Sequence, residues 1–392
     1  MSGLLKLATR MYGVESSPTV RLNALAQEMI KSGKDIINLT AGETDFDTSE
    51  NVKKAAITAL ERGMTRYTPP HGIPELRRAA VEWFQKEFSL SYKPDEVTVS
   101  VGVKQGIFNL MLATVGAGDE VIIPSPYWVS YPEMVRIAGG TPVIVSSGLG
   151  FSLNLEEIKN KINSKTRLLI LNSPNNPSGY MCSREELQKL ASFLVGTNVL
   201  VASDEIYSSL VYDAQEFQPF AALSVDAKAR TITFNGLSKS HAMTGWRVGF
   251  AAGDKKIIDA LGILQAQSST HITSFVQWAA VEALKQTRQE FAPHLEEMQK
   301  RRDLCVLALQ KIKGVQIDKP KGAFYLFPEV APYAEKLGGS DLVAEYLLKE
   351  AGVAVVPGKP FGDDKRIRIS FAKDIVSLEK AMNRIAGALQ KL

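Results

Sequence analysis

Val199-Leu200-Val201-Ala202-Ser203-Asp204-Glu205-Ile206-Tyr207 begins apolar and ends in two carboxylates and a phenol. Its first four residues have no polar break, whereas a strand with one wet face alternates apolar with polar residues. An unbroken apolar strand of this length belongs in a parallel sheet that helices cover on both sides. Similar runs flank it: Val97–Val101, Val121–Ile123, Val143–Val145 and Leu168–Leu171 upstream, and Thr231–Phe234 downstream. Each is followed by a helix-like segment. The helix before Val199 carries its own punctuation, a capping box of Ser183 with Glu186 at the start and Gly196 at the end. Strand alternating with helix predicts a doubly wound α/β domain.

Outside these runs, Asn51–Arg62 reads as a helix begun near Thr48 and closed by Gly63. Pro74 opens another, with Leu76, Ala79, Ala80 and Trp83 on one face. Towards the ends the alternation stops. Helix-like stretches at Val20–Lys31 and Phe291–Lys313, short strands near Ala323–Phe327 and Ile367–Phe371, and a last helix at Ile375–Leu389 predict a smaller α+β domain formed by both chain ends. The expected division is 1–46 joining the small domain, 47–291 as the large domain and 292–392 as the rest of the small one. A chain of 392 residues has room for this, and for a core without disulfide or metal staples.

Composition removes several classes of function. With 45% hydrophobic and 22% charged residues the chain is neither disordered nor collagen-like. A formal net charge of +4, not gathered in a tail, gives no footprint for nucleic acid. No apolar run approaches the roughly 18–20 residues of a membrane span, and Met1–Arg10 lacks the apolar region of a signal peptide. Cys182 and Cys305 are too few for a disulfide framework and suit a reducing cytoplasm. His71, His241, His271 and His294 have no ligand-like spacing, so no metal site is expected. A Walker loop, G-x-G-x-x-G and a nucleophile elbow are all missing.

Open parallel sheets bind ligands at the carboxyl ends of their strands. Those ends carry Gly102-Val103-Lys104, opening a helix; Pro124-Ser125-Pro126-Tyr127-Trp128; the run from Asn172 to Gly179; Ser203-Asp204-Glu205-Ile206-Tyr207; and Asn235-Gly236-Leu237-Ser238-Lys239. One edge thus collects a helix N-terminus, aromatic rings, an amide, a carboxylate with a phenol, and a lysine. An anionic aromatic ligand that also needs an amine and a carboxylate fits such an edge.

Four segments follow one another along the chain: Tyr67-Thr68-Pro69-Pro70-His71-Gly72, Pro126-Tyr127-Trp128-Val129-Ser130-Tyr131-Pro132, Asn175-Asn176-Pro177, and Ser238-Lys239-Ser240-His241-Ala242-Met243-Thr244-Gly245-Trp246-Arg247-Val248-Gly249-Phe250. In that order they resemble the fold-type I, pyridoxal phosphate (PLP)-dependent aminotransferases of class I. The branch is that of bacterial aspartate and prephenate aminotransferases, and the likeness runs from about Ser17 to Arg368. It implies a mostly parallel large PLP-binding domain, a smaller domain from both chain ends, and a homodimer with the active site at the subunit interface.

The resemblance makes Lys239 the lysine that carries PLP as a Schiff base and later moves the substrate proton, against the bland reading of a surface loop lysine. Asp204, otherwise a structural cap, faces the pyridine nitrogen and keeps the ring protonated. Tyr207, if the segment after Asp204 is helical, lies one turn on and reaches the phenolic oxygen; Asn176, otherwise a local turn residue, is the second donor to it. Trp128, otherwise core, stacks over the ring. Gly102, Val103 and Lys104 supply backbone donors to the phosphate, Arg247 a guanidinium and Ser238 a hydroxyl. Tyr67 reaches the phosphate in the neighbouring subunit. Gly102 and Gly236 depart from other branches, which place serines there.

For the substrate, the resemblance assigns Arg368 to the α-carboxylate, although alternation along Arg366-Ile367-Arg368 leaves Arg366 on the same face. Gly42 offers backbone, and Lys104, Ser17 and Thr19 match the group that binds the distal carboxylate of acidic substrates. The expected reaction is a ping-pong transamination between an L-amino acid, aspartate or glutamate, and 2-oxoglutarate or oxaloacetate. Residues Ala266 to His271 depart from the branch, so a prephenate, aromatic or broad-range aminotransferase is the alternative, with a PLP-dependent C–S lyase or a PLP-sensing regulator further off. Lys300-Arg301-Arg302 reads as the solvated face of a helix, Met243 as packing and both cysteines as inert.

Overall fold

The computed structural model describes residues 7–14, 18–286 and 288–392. After a short first strand, β1 (Ile37–Asn38), seven strands build one sheet. They are β2 (Val97–Val101), β3 (Glu120–Pro124), β4 (Thr141–Val145), β5 (Thr166–Asn172), β6 (Leu200–Asp204), β7 (Thr231–Gly236) and β8 (Val248–Ala252), in the order β2-β8-β7-β6-β5-β3-β4. The pairs β3–β4, β3–β5, β5–β6 and β6–β7 are parallel. β8 runs antiparallel to both β7 and β2, so every other strand of the sheet points its carboxyl end to the same edge.

The central strands β6 and β7 are buried almost throughout. β6 is accordingly apolar up to Ala202, whereas β7 alternates and buries Thr231, Thr233 and Asn235 against hydrogen-bond partners, the Ala227 carbonyl, Tyr92 and Ser208. β4 departs from that expectation: as an edge strand it exposes Thr141 and Ile144. β8 has no counterpart among the apolar runs, because Val248-Gly249-Phe250-Ala251-Ala252 is rich in small residues and runs against its neighbours. The helix Arg184–Leu194 starts on the expected capping box. Ser183 Oγ accepts from the Glu186 N–H at 3.2 Å, and the Glu186 carboxylate accepts from the Ser183 N–H at 2.8 Å. Its Leu187, Leu190 and Leu194 are buried against the sheet, each contributing about 2 kcal/mol.

The later strands are β9 (Tyr325–Leu326), β10 (Val353–Ala354), β11 (Val356–Pro357) and β12 (Ile367–Ser370). β1 pairs parallel with β10, placing Ile37 opposite Val353, so the two ends of the chain meet in one small sheet. β11, β12 and β9 form an antiparallel sheet beside it. The helix Pro18–Lys31 lies against β1, β10 and β11, and Ile375–Leu389 packs on Arg288–Gln310. One cluster of buried apolar side chains continues from Ile123, Leu168 and Phe234 of the large sheet, through Phe324 and Tyr325, to Ile369 and Leu389. The ligand-binding edge of the large sheet therefore faces β9 and β12 across a packed junction.

The charged run Lys300-Arg301-Arg302 meets its sequence reading at Lys300, which is exposed, and corrects it at the two arginines. Arg302 is wholly buried, and Arg301 is 5% exposed. Arg302 donates to both carboxylate oxygens of Asp213 at 2.8 Å and to the Pro320 carbonyl, with its guanidinium over the Tyr212 ring. Arg301 is held by Asp45 and Glu297. Two distant carboxylates, Asp45 and Asp213, with the local Glu297 and Asp303, make burial of these cations possible. Met243, as expected, is fully buried, and burial pushes both cysteine thiols up to about 12.

Candidate active site

The ends of β2, β3, β5, β6 and β7 along the common edge each deliver a piece of a cavity of about 290 Å³, whereas the edge strand β4 delivers none. β7 ends at Gly236, and the short helix Leu237–Ser240 that follows carries Ser238 and Lys239. β6 ends at Asp204. β5 ends at Asn172, whose Nδ2 donates to the Asp204 carbonyl at 3.0 Å and whose Oδ1 accepts from the Asn176 N–H at 2.9 Å. That second bond sets the loop placing Asn176, and Asn176 Oδ1 in turn accepts from Arg368 at 3.1 Å. Trp128 follows β3, and Lys104 Nζ sits 4.7 Å from its ring centroid. Gly42, Val103, Tyr131, Ile206, Tyr207, Arg247 and Tyr325 complete the lining, with Val129 and Ser130 beside Trp128.

Charge in this cavity is unbalanced. Lys239 donates to the Gly42 carbonyl, and burial, with Arg247 adding repulsion, lowers its pKa to about 8. Burial likewise lowers Lys104, again with Arg247 contributing, and lowers Arg368. Against these cations stands Asp204, raised to about 6 by burial and held down by donation from Tyr131 Oη at 2.6 Å and the Ile206 N–H at 3.3 Å. Arg368 is 2% exposed and, among the described residues, bonds only the neutral oxygens of Asn176 and Thr40 and leaves Nε without a partner. Among the described residues no carboxylate forms a salt bridge with Lys104, Arg247 or Arg368. An anion with one positively charged atom fits such a field.

Gly102 opens the helix Gly102–Thr114 at φ +75°, where a Cβ would come within 2.6 Å of Arg247 Nη2. Glycine thus lets a guanidinium lie against the first turn, whose N–H groups have no partner within the helix. At Gly236 a Cβ would come within 2.8 Å of the Val248 carbonyl, so the serine of other branches has no room there.

Of the residues singled out in sequence, Gly42, Val103, Lys104, Trp128, Asn176, Asp204, Tyr207, Ser238, Lys239, Arg247 and Arg368 line this one cavity. Arg366 does not: it is paired with Glu329 at 2.8 Å and Asp363 at 3.0 Å. Tyr67 is 88% exposed, lies against His271 and is not part of the lining. Ser17 lies outside the described residues, and Thr19 falls in the helix Pro18–Lys31 with its side chain outside them as well. Sequence reading assigned no role to Tyr131, Asn172 or Tyr325. The first two stood in segments already singled out, and position at a strand end was signal enough for Asn172. Nothing local marks Tyr325, which comes from the far small sheet.

Among the described residues no helix is long and apolar enough to cross a membrane, and no group of three or more His, Cys, Asp or Glu is placed to hold a metal ion.

Residues 34–385 match the family described as aminotransferase class I and II. The chain is 43% identical over 390 residues to a probable aspartate/prephenate aminotransferase of Aquifex aeolicus, covering 98% of this chain and 99% of that one. The crystal structure of the aspartate aminotransferase from Rhizobium meliloti superposes with a TM-score of 0.94 at 41% identity, covering 99% of this chain and all of that one. The Thermus thermophilus aspartate aminotransferase with maleate gives 0.93 at 42% identity, covering 98% and 100%.

Proposed function

The chain belongs to the class I and II aminotransferases, PLP-dependent enzymes that move an amino group between an amino acid and a 2-oxo acid, and on that premise we propose that its substrates are dicarboxylic: aspartate or glutamate with 2-oxoglutarate or oxaloacetate. The observation that carries the proposal is the pair of cations, Arg368 and Lys104, that face one cavity without carboxylate partners among the described residues. Two separate cations on one small cavity match the two carboxylates of such a substrate. The Thermus relative, determined with maleate, is in keeping with that.

The donor set fits PLP. Asp204 is a buried carboxylate with only neutral donors, which suits a cationic ring nitrogen. The Gly102 turn and Arg247 make a cradle for a phosphate, with Ser238 beside it. Trp128 would lie against the ring, and Tyr207 with Asn176 would donate to its phenolic oxygen. When bound, PLP supplies an electrophilic carbon and an electron sink that acidifies the substrate α-carbon. The chain's own part is then as follows. Burial brings the Lys239 pKa from 10.5 down to about 8, so a far larger share of Nζ is neutral near physiological pH than for an ordinary lysine, and Nζ serves as nucleophile and, once free, takes the α-proton. Asp204 holds a proton on the ring nitrogen. Arg368 fixes the α-carboxylate and Lys104 the distal one, which orients the Cα–H bond towards Nζ.

We further propose a homodimer, supported by the solvent-facing Tyr67 beside His271, a cytoplasmic location, supported by two free buried cysteines, and the domain division 1–46 with 292–392 against 47–291. Prephenate, which also carries two carboxylates, is the second reading, favoured by the Aquifex relative. The test ranks kcat/KM over aspartate, prephenate, phenylalanine and alanine for the wild type and Lys104→Ala. A selective loss on the dicarboxylates is expected, and an equal loss on all four substrates would remove the proposal. Lys239→Ala is expected to fold yet show no pyridoxyl adduct at position 239 by mass spectrometry after borohydride reduction.

A further inference from the structure

Tyr325 reaches the cavity from β9, far from the large sheet, and touches three of its working parts. β9 pairs with β12 so that Tyr325 lies opposite Ser370, which puts Arg368 two residues along on the same face. The register therefore sets the Arg368 guanidinium over the Tyr325 ring, 4.4 Å from its centroid. The hydroxyl lies 3.1 Å from that of Tyr207, and a Cβ on Gly42 would come within 3.0 Å of it. Among the described residues Tyr207 is the one hydrogen-bond partner of this buried hydroxyl.

Either hydroxyl can donate in this pair, and a bound cofactor would fix the direction. A Tyr207 phenol that donates to the ligand has only its oxygen left to offer, so in the Tyr325–Tyr207 pair the proton comes from Tyr325. Both phenols are kept protonated by burial. Donation into an oxygen strengthens that oxygen's own O–H as a donor. The ring face below does a different job. Arg368 is a buried cation bonded only to neutral oxygens, and an aromatic face in contact with it offsets part of its lost hydration.

We propose that Tyr325 is a positioning residue with two separable actions: its ring carries the arginine that binds the substrate α-carboxylate, and its hydroxyl drives Tyr207 as a donor to the cofactor oxygen. This rests on the cofactor and carboxylate assignments above, and it assigns both halves of the site to one side chain from the C-terminal part of the chain.

The two actions part under substitution. Tyr325→Phe keeps the ring and removes the hydroxyl; Tyr325→Leu removes both, and Tyr325→Met does the same while leaving less of a void. The holoenzymes are compared in three measurements: the pH midpoint of the bound cofactor's visible band, KM for aspartate and alanine, and the dissociation constant of maleate. Tyr325→Phe is expected to raise the midpoint by about half a pH unit, because a weaker Tyr207 donor favours protonation next to the cofactor oxygen, and to change KM less than twofold. The Leu and Met variants are expected to add a rise in KM and in the maleate constant of roughly 3- to 30-fold, equal for aspartate and alanine because Arg368 serves the carboxylate they share. A midpoint unmoved by Tyr325→Phe, or Leu and Met variants that bind no worse than Phe, overturns the proposal. Tyr207→Phe separates the layers: if it shifts the band and Tyr325→Phe does not, the cofactor assignment stands and the role of Tyr325 falls. If Tyr207→Phe is also silent, both fall.

Discussion

Tyr131 donates a 2.6 Å hydrogen bond to Oδ2 of Asp204, and the same ring meets Trp128 edge-on with centroids 5.3 Å apart. Two neighbours of the ligand cavity are thus braced by one phenol that the sequence did not single out. Burial drives the Asp204 carboxyl up to about 6, and the Tyr131 donation is the strongest influence opposing it. PLP binding through a ring cation needs Asp204 ionised. Tyr131→Phe removes a hydrogen bond to a charged group, with a cost of about 1.5 kcal/mol, equivalent to roughly one pKa unit. The expected outcome is that PLP affinity, measured on cofactor-free protein, starts to fall about one unit higher in pH than in the wild type. An unchanged pH profile would show that Tyr131 does not hold Asp204 in its charged form.

Arg366 and Arg368 are two residues apart in sequence, yet their surroundings give them different work. Arg366 is neutralised by Glu329 and Asp363, whereas Arg368 is buried against neutral oxygens with Nε free. Arg368→Lys is expected to lower kcat/KM for every amino acid substrate by a factor on the order of 100, about 3 kcal/mol, because the planar bidentate donor is lost. Arg366→Met should leave kcat/KM within about twofold of the wild type and lower Tm by a few degrees at most, as a partly exposed ion pair contributes modestly. Steady-state kinetics together with a thermal melt of each variant decides between them. Exchange of the two phenotypes would reverse the assignment.

Much of this site was readable because strand ends are local. Asp204, Lys239, Trp128 and Asn176 follow apolar runs that announce their strands, so one linear sequence gives both the sheet edge and the residues on it. What escaped depends on non-local pairing. β8 is antiparallel and rich in small residues, so neither its pattern nor its direction follows from the alternation. Tyr325 arrives through the β9–β12 register, which no stretch around residue 325 encodes. The choice between Arg366 and Arg368 needed Glu329, a residue nearly forty positions away. Arg301 and Arg302 looked solvated because their partners, Asp45 and Asp213, are supplied by distant loops.

The buried Arg302 pair carries a prediction of its own. Asp213 and Ala214 both adopt positive φ, 58° and 53°, and Arg302 grips the first of them with two hydrogen bonds. Consecutive left-handed residues without glycine cost energy that this grip offsets. Asp213 keeps 35% of its side chain in solvent, whereas Arg302 has none, so the partners are not equivalent when one is lost. Asp213→Asn leaves the wholly buried Arg302 with Asp303 as its remaining carboxylate partner and is expected to cost about 2 kcal/mol. Arg302→Met leaves a carboxylate that water and Lys319 can satisfy, so its cost should be smaller. Urea unfolding of the two variants gives the order, and kcat/KM for aspartate should be unchanged in both. Greater damage from Arg302→Met would mean that packing of the arginine stem, and not charge, sustains this corner.

Glu205 sits next to Asp204 but outside the ligand cavity, 1% exposed, with Ser203 Oγ donating to Oε1 at 2.7 Å and, among the described residues, no partner at Oε2. Burial raises its pKa from 4.5 to about 8. A carboxyl raised in the folded state binds its proton more tightly there than in the unfolded chain, so it favours folding at low pH. Below 4.5 both states are protonated and that advantage is complete. As pH rises from 4.5 to about 8 the unfolded chain ionises first, and stability is lost progressively, by an amount on the order of 4 kcal/mol once both states are ionised. Glu205→Gln keeps the shape and cannot ionise. The variant is therefore expected to show a stability advantage over the wild type that grows across the window from 4.5 to about 8 and levels off above it. Urea unfolding of the cofactor-free proteins at several pH values measures this directly, and the difference between the two curves isolates residue 205 from Asp204 and His241, which titrate in both. Parallel curves would show that Glu205 is ionised in the folded protein at neutral pH.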